Sequence, residues 1–275
     1  MSSMQISLPR MTNKQFDYVE DQARKRHISF KVCPTCGSKQ VEISPGIWDW
    51  PEDATYRYYG QEYFCNCAKQ IELLRHYILA DIPKDYWTLS DSETDYWGDL
   101  DALKEVRDYF ENWDGYKRLG IGLQIYSPLM GVGKTMLASL LAKWVLQRGE
   151  SVEFISFRQA INVYQDSDKD KEERLYNSPV LIIDEVQSGI SDAQRVFMAS
   201  RLEDLLRFRT SGNSVTIITT NLTLDELEDC FPRCFSLLSS KQIMIHVKGE
   251  DVRVNGDKKM LDFELARNHE ARPII

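Results

Sequence analysis

The stretch from Leu123 to Trp144, LQIYSPLMGVGKTMLASLLAKW, limits what this chain can fold into more than any other. An apolar run suited to a strand ends at Ser127. Apolar residues at helical spacing follow Thr135, namely Met136, Leu137, Leu140, Leu141 and Trp144. Between them stands Gly131-Val132-Gly133-Lys134-Thr135. Glycines let a backbone bend tightly with no side chain on its inner side. Successive N–H groups ahead of a helix N-terminus then form a cradle for an anion. The pattern G-x-x-x-x-G-K-S/T puts glycine where this chain has Pro128. Proline fixes φ and removes one N–H, but the amides of residues 131–135 are intact. A parallel α/β sheet with a phosphate-binding loop is therefore expected.

The chemistry of such a loop assigns roles. Gly131, Val132, Gly133, Lys134, Thr135 and Met136 would line the phosphates of ATP, with the Lys134 amine on the β- and γ-phosphates. Thr135 would hold Mg²⁺ through its hydroxyl. Downstream, Leu181-Ile182-Ile183-Asp184-Glu185 is an apolar strand ending in two acids. Asp184 is expected to bind Mg²⁺, directly or through water, and Glu185 to polarise an attacking water. A third apolar strand, TIITTN, ends in Asn221. Its amide suits a water-positioning role near the γ-phosphate, together with capping of the helix LTLDELED. The acid pair plus Asn221 favours hydrolysis over transfer to a small acceptor.

From residue 100 onward, helical patterns alternate with strongly apolar strands, which implies a parallel sheet covered on both faces. DLDALKEVRDYFENWDGYKR reads as one helix, DSDKDKEERL as a charged stretch, and DAQRVFMASRLEDLLRFRTSG as a long helix. The first quarter differs. Residues 13–27 read as a helix, 44–63 as a polar, aromatic-rich segment, and 68–79 as an amphipathic helix. KDYWTLSDSETDYWGD reads as a linker. The expected division is a small domain over 1–82, a linker over 83–100, a nucleotide-binding domain over 101–260 and a tail over 261–275.

Six cysteines are present, and four lie in the small domain. Cys33-Pro34-Thr35-Cys36 has the form of a zinc knuckle, and Cys65-Asn66-Cys67 supplies a tighter second pair. Four thiolates satisfy tetrahedral Zn²⁺ with no open position, which makes the metal structural. His27 or His76 is an alternative fourth ligand. Cys230 and Cys234 are expected to be core or incidental residues. Trp48, Trp50, Tyr56, Tyr58 and Tyr59 form either a small core or a surface for a partner or for stacked bases.

Taken in order, the three nucleotide motifs resemble those of the AAA+ ATPases. VLIIDEV, RLEDLLRFRTSGNSVTIITTNLTLDEL and VKGEDVR resemble the DnaC/DnaI helicase loaders and the related IstB transposition ATPases, over residues 80–255. The resemblance implies an AAA+ domain with a reduced lid and a sensor 2 arginine at Arg253, in Gly249-x-Asp251-x-Arg253. It also implies a box of two arginines, G-x-R-x-x-S/D-R-L, matched here by FPRCFSLLS. Arg233 and Ser236 are kept, but Leu237 stands at the second arginine, so Arg233 is the remaining candidate for a finger supplied to a neighbouring subunit. Arg207 and Arg209 are equally a solvated helix end.

By the same resemblance, the cysteine module would engage a replicative hexameric DNA helicase. The chain would load that helicase onto single-stranded DNA during cellular or phage replication, self-associating in an open ring or spiral. The alternatives are an IstB-like transposition ATPase acting with a transposase, and an adaptor whose ATPase is degenerate. A net charge of −8 argues against coating nucleic acid through bulk positive charge. No apolar run reaches the ~20 residues that cross a bilayer, and the N-terminal MSSMQISLPRMTNKQF lacks an apolar signal core. A cytoplasmic ATPase without membrane partners is expected.

Overall fold

The computed structural model describes residues 8–58, 61–91, 98–187, 192–251 and 273–274. These divide into two compact units, one of residues 91 and 98–251, the other of residues 8–58, 61–90 and 273–274. Among the described residues, no helix is long and apolar enough to cross a membrane.

The smaller unit opens with α1 (Asn13–Lys25), which begins at a reciprocal capping box between Thr12 and Gln15. Two antiparallel hairpins follow, β1 (Val41–Ser44) with β2 (Ile47–Asp49) and β3 (Thr55–Tyr58) with β4 (Gln61–Phe64). They fill the segment that reads only as polar and aromatic, because neither hairpin alternates buried with exposed residues: β1, β2 and β4 are exposed throughout. α2 (Cys67–Leu79) closes the unit, with Asn66 capping the Lys69 N–H. It buries Ile71, Leu73, Leu74, Tyr77 and Ile78. The knuckle segment between α1 and β1 holds an isolated bridge, Val32 to Lys39. Beyond α2, Lys84–Tyr86 is a single 3-10 turn, and Trp87 is buried with its Nε1–H on the Ile82 carbonyl.

The larger unit starts with α3 (Leu100–Glu111), N-capped by Asp99, and α4 (Trp113–Leu119). The single helix read from the sequence is thus broken at Asn112, whose amide Nδ2 bonds back to the Asp108 carbonyl. The break drops Trp113 into the core, where its Nε1–H meets Glu150. Then come β5 (Gly122–Tyr126), α5 (Lys134–Gln147), β6 (Val152–Ser156), α6 (Phe157–Gln165), α7 (Lys169–Asn177) and β7 (Val180–Val186). They are followed by α8 (Asp192–Ser211), β8 (Val215–Thr220), α9 (Leu224–Cys230), α10 (Pro232–Lys241) and β9 (Gln242–His246). α7 is the stretch that reads as merely charged. Only Leu175 on it is buried, and the Asp168 cap on the Lys171 N–H begins it.

All five strands of this unit run parallel in the order β6-β7-β8-β5-β9. Parallel pairing forces every connection to cross back over the sheet, so the C-terminal strand ends share one edge. Alternate residues Ile155, Leu181, Ile183 and Ile218 face a core shared with α6, α7, α8, α9 and α10. Phe154, Ile182, Ile217 and Leu123 have the opposite parity, and α5 packs against β5, β7 and β8. The sheet is therefore an α/β layer between helices, as its apolar strands imply.

Arg209 corrects an expectation. Instead of a solvated helix end, it is 1% exposed near the C-terminus of α8. Its Nε–H donates to Thr216 Oγ1, its Nη1 to the carbonyls of Leu175, Tyr176 and Ser178, and its Nη2 to Val215 O. The guanidinium thereby ties α7, α8 and the start of β8 together, and burial lowers its pKa to about 10. Arg207 does remain exposed, paired with Glu203. Cys234 is buried and Cys230 partly buried in the helical core, as expected.

Candidate nucleotide site and metal centre

β8 lies between β5 and β7, so the turn after β5 and the acids ending β7 stand on either side of it at the same sheet edge. Ligands of open α/β sheets bind at this edge, beyond the carboxyl ends of the strands. Gly131 and Gly133 adopt φ of 72° and 100°, in the left-handed region where glycine carries no steric cost. Gly133 is the N-cap of α5, and Lys134 begins it. Pro128 is exposed at the strand exit. Lys134 is buried, its Nζ donating to the carbonyls of Ser127 (3.2 Å) and Leu129 (2.5 Å). These bonds hold the amine against the loop.

Asp184 is 6% exposed. Its Oδ1 accepts the Thr135 hydroxyl at 3.0 Å and the Thr219 hydroxyl at 2.5 Å, and its Oδ2 lies 3.2 Å from Thr135 Oγ1. Burial raises its pKa above the ordinary carboxylate value, and the bonds from Thr219 and Thr135 oppose that rise. The β7–β8 register shifts between Ile183 and Val186, and Glu185 takes a φ of 60° in the irregularity. A bulge of this kind re-aims the side chains around it. Asp184 is buried while Glu185 is exposed, and the Glu185 N–H is held by Thr219 Oγ1 at 2.9 Å.

Thr219 is the residue that sequence reasoning missed. One hydroxyl donates to Asp184 and accepts from the Glu185 backbone, so it joins both acids to the end of β8. The threonine pair before Asn221 was its only signal. Asp251 is a second omission: a Cβ built on Gly131 would lie 1.8 Å from its Oδ1. The Asp251 carboxylate thus occupies the space that glycine leaves beside the loop. Asn221 follows β8 and is half-buried. It does not cap the next helix; Thr223 does, in a capping box with Glu226. Arg233 lies on α10 with its side chain 77% exposed, 3.6 Å from Glu203 Oε2. Leu237 packs against the helical core. Val132 is buried and Met136 half-buried in the loop. Arg253 and the expected reduced lid lie outside the described residues.

In the smaller unit, the Sγ atoms of Cys33, Cys36, Cys65 and Cys67 lie within 4.8 Å of one another. Cys33–Cys65 and Cys36–Cys67 are 3.6 and 3.5 Å apart, too far for disulfides of about 2.05 Å. Sulfurs around a tetrahedral zinc with bonds of about 2.3 Å are separated by about 3.8 Å, so the cluster is consistent with a zinc-binding site. Burial raises the Cys67 thiol to about 12 and the Cys65 thiol further still. Cys36 goes the other way: burial opposes the shift, but hydrogen bonds to Ser38 and the neighbouring thiols lower it to about 7. Both histidine alternatives are set aside. His76 directs its two ring nitrogens at the carbonyls of Glu72 (2.9 Å) and Pro9 (2.7 Å), and exposed His27 lies outside the cluster. Trp50 and Tyr56 pack on the cysteines, whereas Trp48 is exposed. Tyr59 and the Tyr58 side chain lie outside the described residues.

Residues 125–240 match the model of the ATPase family associated with various cellular activities (AAA). The replicative helicase loader DnaC of Escherichia coli (strain K12) is 28% identical over 137 residues, which covers 47% of this chain and 53% of that protein. The chain therefore spans about half the length of the curated relatives it matches. The crystal structure of DnaI aligns with a TM-score of 0.50 at 20% identity, covering 60% of this chain and 94% of the other. Domain III of the Thermotoga maritima replication initiation protein DnaA aligns with a TM-score of 0.50 at 19% identity, covering 67% of this chain and 76% of that one. These structural likenesses establish the fold. With its loop, its acid pair and its place in a parallel α/β sheet, the stretch 125–240 matches the AAA ATPase model and is similar in sequence to DnaC.

Proposed function

We propose that this chain is an ATP-dependent loader that places a replicative hexameric helicase on single-stranded DNA. The observation that carries the reading is the meeting of Thr135, Asp184 and Thr219 beside the glycine loop, in a domain similar to DnaC. Thr135 Oγ1 and Asp184 Oδ1 are 3.0 Å apart; neighbouring ligands of octahedral Mg²⁺, with bonds of about 2.1 Å, are separated by about 3.0 Å. These two residues would hold Mg²⁺, which supplies charge neutralisation on the phosphates.

Gly131 to Met136 direct the loop amides and the α5 N-terminus at the phosphates. Lys134 exchanges its carbonyl partners for the β- and γ-oxygens. Glu185, on its bulge, polarises the attacking water, and Asn221 orients it. Arg233 is exposed enough to reach a neighbouring subunit, and Arg253 takes the sensor 2 position. ATP binding favours an open ring or spiral on DNA, and hydrolysis releases the loader. The four cysteines would hold Zn²⁺, which would join the Cys33–Cys36 turn to Cys65 and to Cys67 at the start of α2, and this module grips the helicase.

Purified full-length protein should turn over ATP faster with single-stranded DNA and copurify with a hexameric helicase. Lys134→Ala should abolish turnover without loss of fold. Undiminished turnover in Lys134→Ala refutes the site. Recovery of a transposase instead of a helicase supports the transposition alternative.

A further inference from the structure

In the smaller unit, Ile274 is 3% exposed. Its N–H donates to Gln70 Oε1 at 2.8 Å, and its carbonyl accepts the Tyr77 hydroxyl at 2.9 Å. Gln70 and Tyr77 are two turns apart on α2, 2% and 0% exposed. One residue thus has both backbone groups captured by buried side chains and its own side chain buried. That is how a protein holds an extended peptide, since a buried N–H or C=O must find a partner. Nothing in the nucleotide chemistry uses it.

The seat is also tied to the cysteine cluster. Gln70 Oε1 accepts a second hydrogen bond, from the Thr35 hydroxyl at 2.8 Å. Thr35 is 5% exposed in the turn between Cys33 and Cys36. The acceptor that grips Ile274 is therefore aimed by the knuckle that carries two of the four thiols.

We propose that Gln70 and Tyr77 form a peptide-binding site on the cysteine module, whose ligand is the chain's own Pro273–Ile274 segment, and that the cluster keys it through Thr35. Seated, the segment ties the module to the rest of the chain at two places in sequence, before residue 98 and after residue 251. Released, it leaves one connection. Losing the metal frees the Cys33–Cys36 turn, withdraws Thr35 from Gln70 and lets the segment go. The metal arm rests on the zinc reading of the four thiols; the seat itself does not.

The test follows amide exchange at Ile274 in full-length protein labelled with ¹⁵N-isoleucine, alongside metal analysis. In the zinc-loaded wild type, Ile274 should be protected from exchange. Tyr77→Phe leaves its carbonyl buried without a donor and should speed exchange about tenfold, with α2 still protected and metal content unchanged. Gln70→Leu should act likewise, and Glu72→Gln, on the exposed side of α2, should not. Removing zinc with a chelator should release Ile274 to the same extent or more. Equal exchange in the wild type, Tyr77→Phe and Gln70→Leu overturns the seat. Release by Tyr77→Phe in a protein that contains no metal, or whose Ile274 ignores chelation, keeps the seat and overturns the metal key.

Discussion

Replacing Thr219 by valine tests the acid site where its geometry is most specific. The side chain is 1% exposed, so valine fills nearly the same space. The change deletes one hydrogen bond to a carboxylate, worth about 1.5–3 kcal/mol, and one to a backbone N–H, worth about 1 kcal/mol. The added methyl returns about 0.8 kcal/mol of burial. A net loss of about 2–3 kcal/mol follows.

Its pH dependence follows from Asp184. Burial raises that carboxyl in the folded state, so its ionisation costs stability as pH climbs past the unfolded value, and fully so above the folded one. The Thr219 bond opposes the rise, so valine raises the carboxyl further. The gap between valine variant and wild type should therefore be widest near neutrality and narrow as pH falls through the folded Asp184 value. Urea unfolding read by fluorescence of buried Trp113, from about pH 8 down to about pH 4, measures it. Thr219→Ser keeps both bonds and should lose only about 0.5–1.5 kcal/mol, as for deletion of a buried methyl. Turnover should fall with valine and survive with serine, because the Glu185 N–H is released only by the former. A valine variant within about 0.5 kcal/mol of wild type, or a gap that does not change with pH, refutes the reasoning.

The other expectations are shorter. Gly131→Ala places a Cβ 1.8 Å from Asp251 Oδ1 at a φ of 72°; the backbone alone costs about 1–2 kcal/mol, so binding of a non-hydrolysable ATP analogue, measured by calorimetry, should weaken at least about tenfold. Arg209→Met leaves the carbonyls it now binds without that donor and should cost about 3 kcal/mol, a fall in Tm of roughly 6–12 °C by scanning calorimetry. Metal analysis should find about one Zn per chain, lost in a Cys33→Ser/Cys36→Ser double variant together with the smaller unit's hairpin signals in NMR spectra.

The sequence by itself determined the α/β class, the glycine loop and its strand–helix context, and the two cysteine pairs as candidate metal ligands, while the choice of Cys over His27 or His76 for the fourth place was left to the structure. Each is a local pattern: apolar runs too continuous for a solvated face, glycines where the backbone must bend, thiols spaced by a turn. It missed α7, whose single buried residue leaves almost no periodicity to read, and the hairpins, whose exposed strands carry no alternation. Arg209 reads as solvent-exposed because a charged side chain seldom enters a core. Only the packing of α7 and α8 around β8 supplies the carbonyls that satisfy it. The order β6-β7-β8-β5-β9 was likewise a tertiary decision. By setting β8 between the loop strand and the acid strand, it makes Thr219 the link between Asp184 and Glu185. A hydroxyl gains that role only from neighbours distant in the chain, and no spacing within one strand records which neighbours those are.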